Sequence, residues 1–561
     1  MEKKKKLFLI FIFLLAFFLR FYKLGEVPNG LYQDETAIGY NAYSILKTGR
    51  DEHNQPFPLY FRSFGDYKLP LYIYLSIVPI KFFGLNPFSV RFISALSGVF
   101  TVILIYFLVD IIFKNKNLVI LTTLLTAVNP WHLHYSRATF EVSLSLFLIV
   151  LGTILFYLGL EKRKNVTFFP FGVMILALAL YTYNLTRLLV PLFISFYFYF
   201  WKSEIKKISR KIVLLSVILA FLILLPFFFT FLKEGGYSSA KGTLIWSSAT
   251  VQSKILEFRA FLLHFPFLAS KLFFNRWLLT VWQYFLNFLS YFSVVFFFIS
   301  GSSHGNHGIG NFGQFYPLEL FFMILGATKL FEKDKRNFNF LVIWFLIVVG
   351  VASLTREAPH ATRGFFLIFP LEVFSACGVM EFLKRLKNAK RTLGKILGGL
   401  LLLGGIYSLV FYFTSYYFRF PLFYARFWRS ADKEISLYLK ENEPKYEKII
   451  ISEDSDLIYS SLLFYQVYKP EKFQKEAEWV PPDSEGFSFP KKFGKYEFRK
   501  IDWEKDLSRG NLIIAKEGEK PQGFVPAKVF YYPSRPVFLG LKQEIVNYSV
   551  SEVAYEVFEG K

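Results

Sequence analysis

Residues 88–113 read FSVRFISALSGVFTVILIYFLVDIIF, a stretch in which almost every side chain is apolar or small. A helix needs about 20 such residues to cross the hydrocarbon core of a bilayer. Similar apolar runs recur from residue 7 to about residue 418, and short clusters of lysine and arginine separate them. The sequence therefore predicts a polytopic α-helical membrane protein.

The composition of the 561-residue chain excludes several other classes of protein. With 54% apolar and 20% aromatic residues, the chain is neither a disordered protein, a coiled coil, a collagen nor a compact soluble enzyme. The net charge of +23 does not indicate nucleic-acid binding, because the cationic residues lie in short clusters between the apolar runs. The single cysteine, Cys377, excludes an intrachain disulfide framework and a cysteine-rich metal site.

The basic clusters predict how the chain crosses the membrane, because loops rich in lysine and arginine stay in the cytoplasm. The segment 71–83 is short and apolar, and we expect it to form an interfacial helix on the outer surface. Two further segments, 255–274 and 282–300, either both cross or both stay outside, which gives 11 or 13 spans. The remaining predicted crossings are 7–22, 88–113, 118–131, 140–160, 167–183, 187–201, 211–232, 315–330, 338–355, 363–383 and 394–418.

This threading of the chain sends the loops rich in polar residues to one face, outside the cytoplasmic membrane. Functional groups collect on loops that a rigid scaffold holds, so we expect the active site at the outer membrane surface. Residues 1–420 are predicted to form the membrane domain. Residues 421–561 alternate helix-like and strand-like patterns, such as ADKEISLYLKENEP and NLIIA, and predict an extracytoplasmic α/β domain.

The first external loop carries two adjacent carboxylates, Asp34 and Glu35. Neighbouring side chains on a helix or strand diverge, so only one of them can face a given substrate. A carboxylate at this depth could accept a proton from an attacking hydroxyl or hold a metal ion, and the alternative is a solvated acidic turn. Further along the same loop, FGDYKLP adds Asp66 and Lys68, either as partners of this site or as a salt-bridged turn.

The next external loop, NPWHLHYSRATFE, places His134, Arg137 and Glu141 at positions i, i+3 and i+7. This spacing predicts one helical face, on which Arg137 could bind a phosphate and Glu141 could orient it. An interfacial ion pair that anchors the helix is the alternative. Tyr183 and Arg187, spaced by four residues, repeat the pattern, with anchoring favoured.

A third cationic group lies late in the membrane part, in TREAPHATR, where His360 and Arg363 follow Arg356 and Glu357. Histidine and arginine at the level of the headgroups suit a lipid-linked phosphate. His304 and His307 lie in the glycine-rich loop GSSHGNHGIGNFG, for which a substrate loop is favoured over a zinc site because no regular helix supports the spacing. Two alternatives therefore stay open for the metal requirement: no metal ion, or one divalent ion. Two carboxylates, Glu319 and Glu372, lie within apolar runs, where an ionisable side chain is costly. They are either functional or protonated or paired with buried donors.

Taken together, these motifs are similar to those of a known family. The set comprises QDE in the first loop, FGDYKLPLYIYL, GLNPFSVRFISAL, NPWHLHYSRATFE, YTYNLTRLLVP, the GxxxxxHG pattern in GSSHGNHG, and PHATRGFFLIFP. Over roughly residues 5–385, the chain resembles the bacterial branch of the protein O-mannosyltransferase superfamily, which are polyprenyl-phosphate-sugar-dependent glycosyltransferases of GT-C fold. The resemblance implies an inverting transfer of one sugar from a polyprenyl-phosphate donor to an extracytoplasmic lipid, glycan or protein hydroxyl.

The resemblance also implies roles for individual residues. Asp34 matches the essential acidic residue that activates the acceptor, and Glu141 is the nearest match to a second acidic residue. His360 and Arg363 correspond to the late His/Arg motif that contacts the donor phosphate. Ser302 departs from the pattern, since relatives often carry an acidic residue there. The combined hypothesis is a catalytic group of Asp34, Glu35 and Glu141, a phosphate-binding group of Arg137, Arg187, His360, Arg363 and Lys68, and a substrate group of His304, His307 and Asp66.

Two other functions share this architecture. A flippase or transporter of lipid-linked sugars also needs many spans and basic groups near headgroups, although transporters more often carry ionisable residues at the bilayer midplane. An oligosaccharide ligase differs mainly in the size of the donor. In each case the partners are membrane lipids and lipid-linked sugars, and no nucleic acid.

Overall fold

The computed structural model describes residues 2–64, 66–161, 166–233, 244–247, 249–261, 272–388, 391–455, 457–481, 488–533, 535–536 and 549–560. The chain divides into two compact units. The first unit consists of Met1–Tyr22, Ser94–Ser136 and Phe140–Tyr412, and the second consists of Lys23–Ile93, Arg137–Thr139 and Phe413–Lys561. The predicted domain boundary at residue 420 stays a prediction.

The first unit is built from apolar helices. A π-helical segment covers Val295–Ile299, and 3₁₀ turns cover Ile245–Ser247 and Phe365–Leu367. The α-helices are Glu2–Phe21, Pro87–Phe113, Lys116–Val128, Pro130–Tyr135, Glu141–Leu160, Phe168–Ala179, Thr186–Phe200, Lys202–Ile205, Arg210–Lys233, Ala249–Phe261, Arg276–Ser290, Glu319–Lys333, Lys335–Ala352, Ala361–Gly364, Ile368–Asn388 and Arg391–Thr414.

Among the described residues, six helical segments are long and apolar enough to cross a membrane. Each of the eleven unconditional crossings overlaps a described helix, although several of these helices are short or carry charged ends. Of the predicted segment 255–274, residues 262–271 lie outside the described residues. The chain is a multi-pass membrane protein; the count of 11 or 13 spans and the orientation stay predictions. The six segments are Pro87–Phe113, Glu141–Leu160, Arg276–Ile299, Lys335–Ala352, Ala361–Asn388 and Gly394–Phe423.

Small residues allow two of these helices to approach closely. A Cβ atom on Gly326 would collide with the backbone carbonyl of Phe374, and one on Gly378 would collide with the carbonyl of Phe322. Helices in a bilayer gain stability from such close van der Waals packing, because apolar burial drives their association only weakly there. The helices Glu319–Lys333 and Ile368–Asn388 therefore form a fixed pair within the first unit.

The second unit combines the first polar loop with the tail of the chain. Strands β1 (Phe61–Ser63) and β2 (Asp66–Lys68) form an antiparallel hairpin. A π-helical segment covers Ser415–Arg419, and 3₁₀ turns cover Glu443–Lys445 and Glu453–Ser455. Its α-helices are Gln33–Thr48, Pro70–Phe83, the start of Pro87–Phe113, Phe420–Phe423, Asp432–Asn442, Ile458–Tyr465, Pro470–Glu476 and Trp503–Asp506.

A seven-stranded mixed sheet organises the tail. Its strands are β3 Lys448–Ile451, β4 Glu478–Trp479, β5 Pro490–Phe493, β6 Tyr496–Phe498, β7 Asn511–Ala515, β8 Lys528–Tyr531 and β11 Val553–Glu559, with β9 Arg535–Pro536 and β10 Ser549–Val550 as a separate pair. The order of strands in the sheet is β4-β5-β6-β3-β7-β11-β8. Strand β3 runs parallel to both β6 and β7, while the other neighbouring pairs are antiparallel. This architecture confirms the prediction of an α/β tail.

The helix Gln33–Thr48 packs on this α/β region and so fixes the first polar loop. Ala37 and Tyr40 belong to the same apolar cluster as the sheet residues Ile449 and Leu512. At Gly39, a Cβ atom would lie 2.6 Å from the ring of Phe464, so only glycine permits this approach. The start of the helix, where Asp34 and Glu35 lie, is therefore held in place by burial of the residues that follow.

Candidate functional site

The two adjacent carboxylates in the first turn of helix Gln33–Thr48 have different surroundings. Glu35 is completely buried, and its two oxygens accept hydrogen bonds from Nε and Nη2 of Arg91, both at 2.9 Å. The backbone amide and the hydroxyl of Thr139 also donate to Glu35, each at 2.9 Å. Asp34 instead has 36% of its side chain exposed. As expected for neighbours on a helix, one carboxylate points into the protein and the other faces solvent.

Asp34 forms an ion pair with Lys68, whose Nζ lies 2.8 Å from Oδ1 of Asp34. Lys68 ends the hairpin strand β2, and only 5% of its side chain is exposed. The ion pair therefore sets a buried positive charge beside a carboxylate that solvent can reach. Asp66 lies in the same strand, opposite Ser63. The structure thus brings together Asp34 and Lys68, which the sequence had placed only in one long loop.

Glu52 is a further carboxylate of this loop that the sequence analysis did not single out. It is buried and accepts hydrogen bonds from Nδ2 of Asn41 at 2.9 Å and from Oγ of Ser63 at 3.2 Å. Burial raises the pKa of Glu52 to about 8, although the charge of Lys68 acts in the opposite direction. In the sequence, Glu52 is one polar residue in a polar segment, and nothing in the pattern indicates that it is buried.

The predicted helical face of His134, Arg137 and Glu141 is wrong. The helix Pro130–Tyr135 ends before Arg137, and a new helix begins at Glu141 after an extended residue, Phe140. Arg137 is buried in the second unit, where it donates to the carbonyl of Val27 at 3.1 Å and stacks over the rings of two tyrosines, Tyr416 and Tyr417. These contacts link three separate segments of that unit, and a phosphate-binding role for Arg137 stays a prediction.

In the first unit, His360 and Arg363 flank the start of the segment Ala361–Asn388. His360 caps this helical start, since its Nδ1 accepts a hydrogen bond from the amide of Thr362 at 3.2 Å. Arg363 donates to the hydroxyl of Thr355 at 2.9 Å and to the carbonyl of Glu357 at 2.8 Å. The carboxylate of Glu357 lies 3.5 Å from His360 and 3.7 Å from Arg363. The loop TREAPHATR therefore folds back on itself and holds His360 and Arg363 around Glu357.

The histidines of the glycine-rich loop join this group. The ring centroid of His307 lies 4.6 Å from that of His304 and 4.6 Å from that of His360. His134 also contacts the loop, because its Nε2 is 2.7 Å from the carbonyl oxygen of Asn306. Below, the imidazole cluster means His304, His307 and His360. It combines two motifs that are separated by about fifty residues in the sequence.

Burial keeps two of these imidazoles neutral. It lowers the pKa of His307 to about 3, and neighbouring histidines and Arg363 act in the same direction. Burial, His307 and Arg363 also lower the pKa of His360 well below its ordinary value. Arg363 consequently supplies the positive charge, while the imidazoles can supply uncharged N–H donors. Among the described residues, no group of three histidine, cysteine or acidic side chains has a geometry that could hold a metal ion.

The remaining predicted residues of the first unit lie at the starts of helices. Glu141 begins the helix Glu141–Leu160, and Arg187 is the second residue of Thr186–Phe200, just after the turn that contains Tyr183. Both side chains are half-buried. Their roles in catalysis and phosphate binding stay predictions.

Glu319 and Glu372 have buried partners. Glu372 accepts a hydrogen bond from Nδ2 of Asn129 at 2.8 Å, and Glu319 accepts one from the amide of Tyr316 at 3.1 Å. Both carboxyl groups belong to the helix pair that Gly326 and Gly378 hold together. Of the two alternatives open for these residues, the contacts favour pairing with buried donors over a separate functional site.

Comparison with known proteins supports the resemblance drawn from the motifs. Residues 10–235 match the model of the family described as dolichyl-phosphate-mannose-protein mannosyltransferase. The chain resembles the protein O-mannosyltransferase superfamily. The matched region contains the helix with Asp34, the hairpin with Lys68, the loop with Arg137, and Arg187.

Related sequences match only part of the chain. A protein of Aquifex aeolicus (strain VF5), described as uncharacterized, is 29% identical over 220 residues, which is 39% of this chain and 48% of the relative. The putative mannosyltransferase YkcB of Bacillus subtilis (strain 168) is 27% identical over 235 residues, or 40% of this chain and 30% of the relative. The chain thus spans less than half the length of these relatives.

Solved structures resemble a larger part of the chain. ArnT from Cupriavidus metallidurans, bound to undecaprenyl phosphate, has a TM-score of 0.51 at 12% identity and covers 91% of this chain and 93% of its own. The archaeal oligosaccharyltransferase AglB from Archaeoglobus fulgidus, in complex with an inhibitory peptide and a dolichol-phosphate, has a TM-score of 0.50 at 14% identity and covers 82% of this chain and 64% of its own. At these identities the likeness shows the fold alone, which is the GT-C fold.

Proposed function

We propose that this protein is an inverting glycosyltransferase that moves one sugar from a polyprenyl-phosphate donor to a hydroxyl group of an extracytoplasmic acceptor. The observation that carries the proposal is the exposed carboxylate of Asp34, held 2.8 Å from the buried ammonium of Lys68. Both residues lie in the region that matches the mannosyltransferase family. The GT-C fold and the lipid phosphates bound in the two similar structures support a lipid-linked donor.

In this proposal Asp34 acts as the general base. An inverting transfer is a single displacement, in which the acceptor oxygen attacks the anomeric carbon, its proton passes to a base, and the phosphate leaves with the electron pair of the broken C–O bond. Asp34 suits this role because its carboxylate is partly solvent-accessible and is held 2.8 Å from the ammonium group of Lys68. Glu35 suits a structural role, since all its hydrogen bonds hold it between Arg91 and Thr139.

Each unit contains a cationic candidate for phosphate binding, Lys68 in the second unit and Arg363 in the first. Lys68 places a buried positive charge beside Asp34, where it can stabilise the charge that develops on the leaving phosphate. Arg363 offers a planar guanidinium that matches phosphate oxygens, and the imidazole cluster adds neutral N–H donors beside it. We assign the loop of His304 and His307 to contacts with the donor headgroup. The transfer reaction would take place at the outer face of the cytoplasmic membrane.

Mass spectrometry of lipid carriers in cells tests the proposal and does not require the acceptor to be identified. Removing the protein should make its polyprenyl-phosphate-sugar accumulate, and the wild-type gene should reverse this. The variant Asp34→Asn should not reverse it. Asp110→Asn is a matched control, because Asp110 pairs with Lys116 at the same distance of 2.8 Å and has 31% of its side chain exposed. Full reversal by Asp34→Asn would remove Asp34 from the mechanism.

A further inference from the structure

A polar cavity of about 310 Å³ lies in the α/β region of the second unit, apart from the residues assigned to sugar transfer. It opens at the carboxyl ends of the parallel strands β3 and β7. Ser455 follows β3 in a 3₁₀ turn, and Lys516 directly follows β7. Ligands of α/β proteins bind in the crevice at this edge of the sheet, where loops from adjacent parallel strands meet.

Arg429 forms the fixed positive charge of the cavity. Its Nε donates to the buried carboxylate of Asp432 at 2.6 Å. Asp432 is itself held by the hydroxyls of Ser461 and Tyr555, both at 2.7 Å. Within the described part of the chain, the two Nη groups of Arg429 have no hydrogen-bond acceptor, although only 17% of the side chain is exposed. A guanidinium that is anchored on one side and open on the other is preorganised to bind a carboxylate or a phosphate.

Ser455 gives a second, independent indication of a ligand. Its side chain is 3% exposed and lines the cavity, yet its hydroxyl has no hydrogen-bond partner among the described residues. Buried polar groups are nearly always satisfied, and an exception in a cavity indicates a missing partner. A ligand hydroxyl or anionic oxygen would supply that partner.

The remaining lining residues suit hydroxyl groups. Glu552 pairs with Arg426 at 2.8 Å and is one third exposed, so it retains oxygen atoms that can accept hydrogen bonds from a ligand. The phenol of Tyr532 is protonated at neutral pH, and burial raises its pKa further to about 12, so it can donate a hydrogen bond to a ligand. Carboxylates and tyrosines around an anchored arginine can recognise a polyhydroxylated molecule that also carries a negative charge.

We propose that this cavity binds a single acidic sugar residue, one that carries a carboxylate or a phosphate group. The volume lies at the lower end of the roughly 300–1,000 Å³ typical of small-molecule sites, which suits one sugar residue better than a longer chain. The identification of this sugar as part of the acceptor rests on the proposed function. The binding itself does not, because it requires neither the donor nor Asp34.

Titration calorimetry on the full-length protein in detergent, without donor, tests the proposal. The probes are glucuronate, glucose 6-phosphate, glucose and inorganic phosphate. We expect saturable binding of the two acidic sugars, and at least about tenfold weaker binding of glucose and of phosphate, since each lacks one half of the recognised chemistry. The first two probes separate a carboxylate site from a phosphate site, and either result supports the proposal.

Two variants locate the binding in the cavity. Arg429→Lys keeps a charge beside Asp432 but loses the planar fork, and should weaken binding by about tenfold. Ser455→Ala removes a hydroxyl that bonds nothing in the described chain, so it should fold normally and weaken binding several-fold. Lys505→Ala, an 84% exposed lysine outside the cavity, is the control. Unchanged affinity in both cavity variants, binding of glucose as tight as glucuronate, or no binding of either acidic sugar would overturn the proposal. If the wild-type protein binds the acidic sugars but transfers no sugar from the lipid-linked donor, that result counts only against the proposed function.

Discussion

Replacing Glu35 with glutamine should destabilise the second unit by about 3–5 kcal/mol, the usual cost of breaking a buried ion pair by removing one partner. Glu35 and Arg91 both have 0% exposure of their side chains. The carboxylate of Glu35 has two oxygens that accept hydrogen bonds from Arg91 and Thr139. A glutamine side chain has only one acceptor oxygen, because its other terminal atom is an NH2 nitrogen that donates. The guanidinium of Arg91 would remain buried without a compensating charge.

Thermal unfolding of the purified protein in detergent, followed by tryptophan fluorescence, measures this effect. A loss of that size should lower Tm by about 5 °C or more. Asp34→Asn is the matched comparison, because it changes the adjacent carboxylate in the same way. The ion pair of Asp34 is partly exposed, and such pairs contribute only about 0–1 kcal/mol. Its Tm should therefore stay within about 2 °C of wild type.

The two variants together separate stability from catalysis. An equal Tm for wild type and Glu35→Gln would refute the inference that Glu35 holds the first loop in place. A large fall in Tm for Asp34→Asn would refute the assignment of Asp34 as the exposed, reactive partner.

Three further perturbations test separate parts of the structure. Glu52→Gln should increase stability by about 5 kcal/mol at pH 8.5 and by about 1 kcal/mol at pH 5, because a pKa raised from 4.5 to about 8 costs stability as pH rises between these two values; Tm across this range measures the effect. Gly326→Ala should lower Tm, because the new Cβ would meet the Phe374 carbonyl, whereas Gly405→Ala, with open space around it, should not. Arg363→Ala should weaken binding of undecaprenyl phosphate about tenfold in a direct binding assay.

Each of these expectations has an outcome that contradicts it. A Tm of Glu52→Gln that rises equally at pH 5 and pH 8.5 would show that Glu52 is not protonated by burial. Equal effects of the two glycine variants would contradict close packing at Gly326. For Arg363, the control is Arg356→Ala, an exposed arginine of the same loop; equal affinities of these two variants would count against a phosphate-binding role.

The sequence was sufficient to predict the helices of the membrane part, because apolar runs and basic clusters are local features. The strand-like segment NLIIA forms β7, and the segment ADKEISLYLKENEP contains the helix Asp432–Asn442, as predicted. The predicted face of His134, Arg137 and Glu141 failed because spacing alone does not show that the helix ends at Tyr135. There, the extended residue Phe140 separates two helices that the periodicity had joined.

Contacts between distant segments could not be predicted from the sequence. The ion pair of Asp34 with Lys68 and the contact of His307 with His360 each join residues that no periodicity connects. Glu52 looks like any polar loop residue, and its burial depends on how Asn41 and Ser63 fold around it. The cavity around Arg429 is formed by residues that follow β3, β7 and β8, by the start of β11, and by the segment before the helix Asp432–Asn442, which come together only in the folded domain.

The rate of sugar transfer by Asp34→Asn, measured with the lipid-linked donor that accumulates in cells lacking the protein, is the most direct test of the proposed mechanism. The same preparation must also be tested for donor binding. We expect transfer to fall by at least about 10²-fold, as for loss of a general base, while donor affinity stays within a few-fold of wild type. Asp110→Asn should match wild type in both measurements. Transfer at the wild-type rate by Asp34→Asn would contradict a catalytic role for this carboxylate.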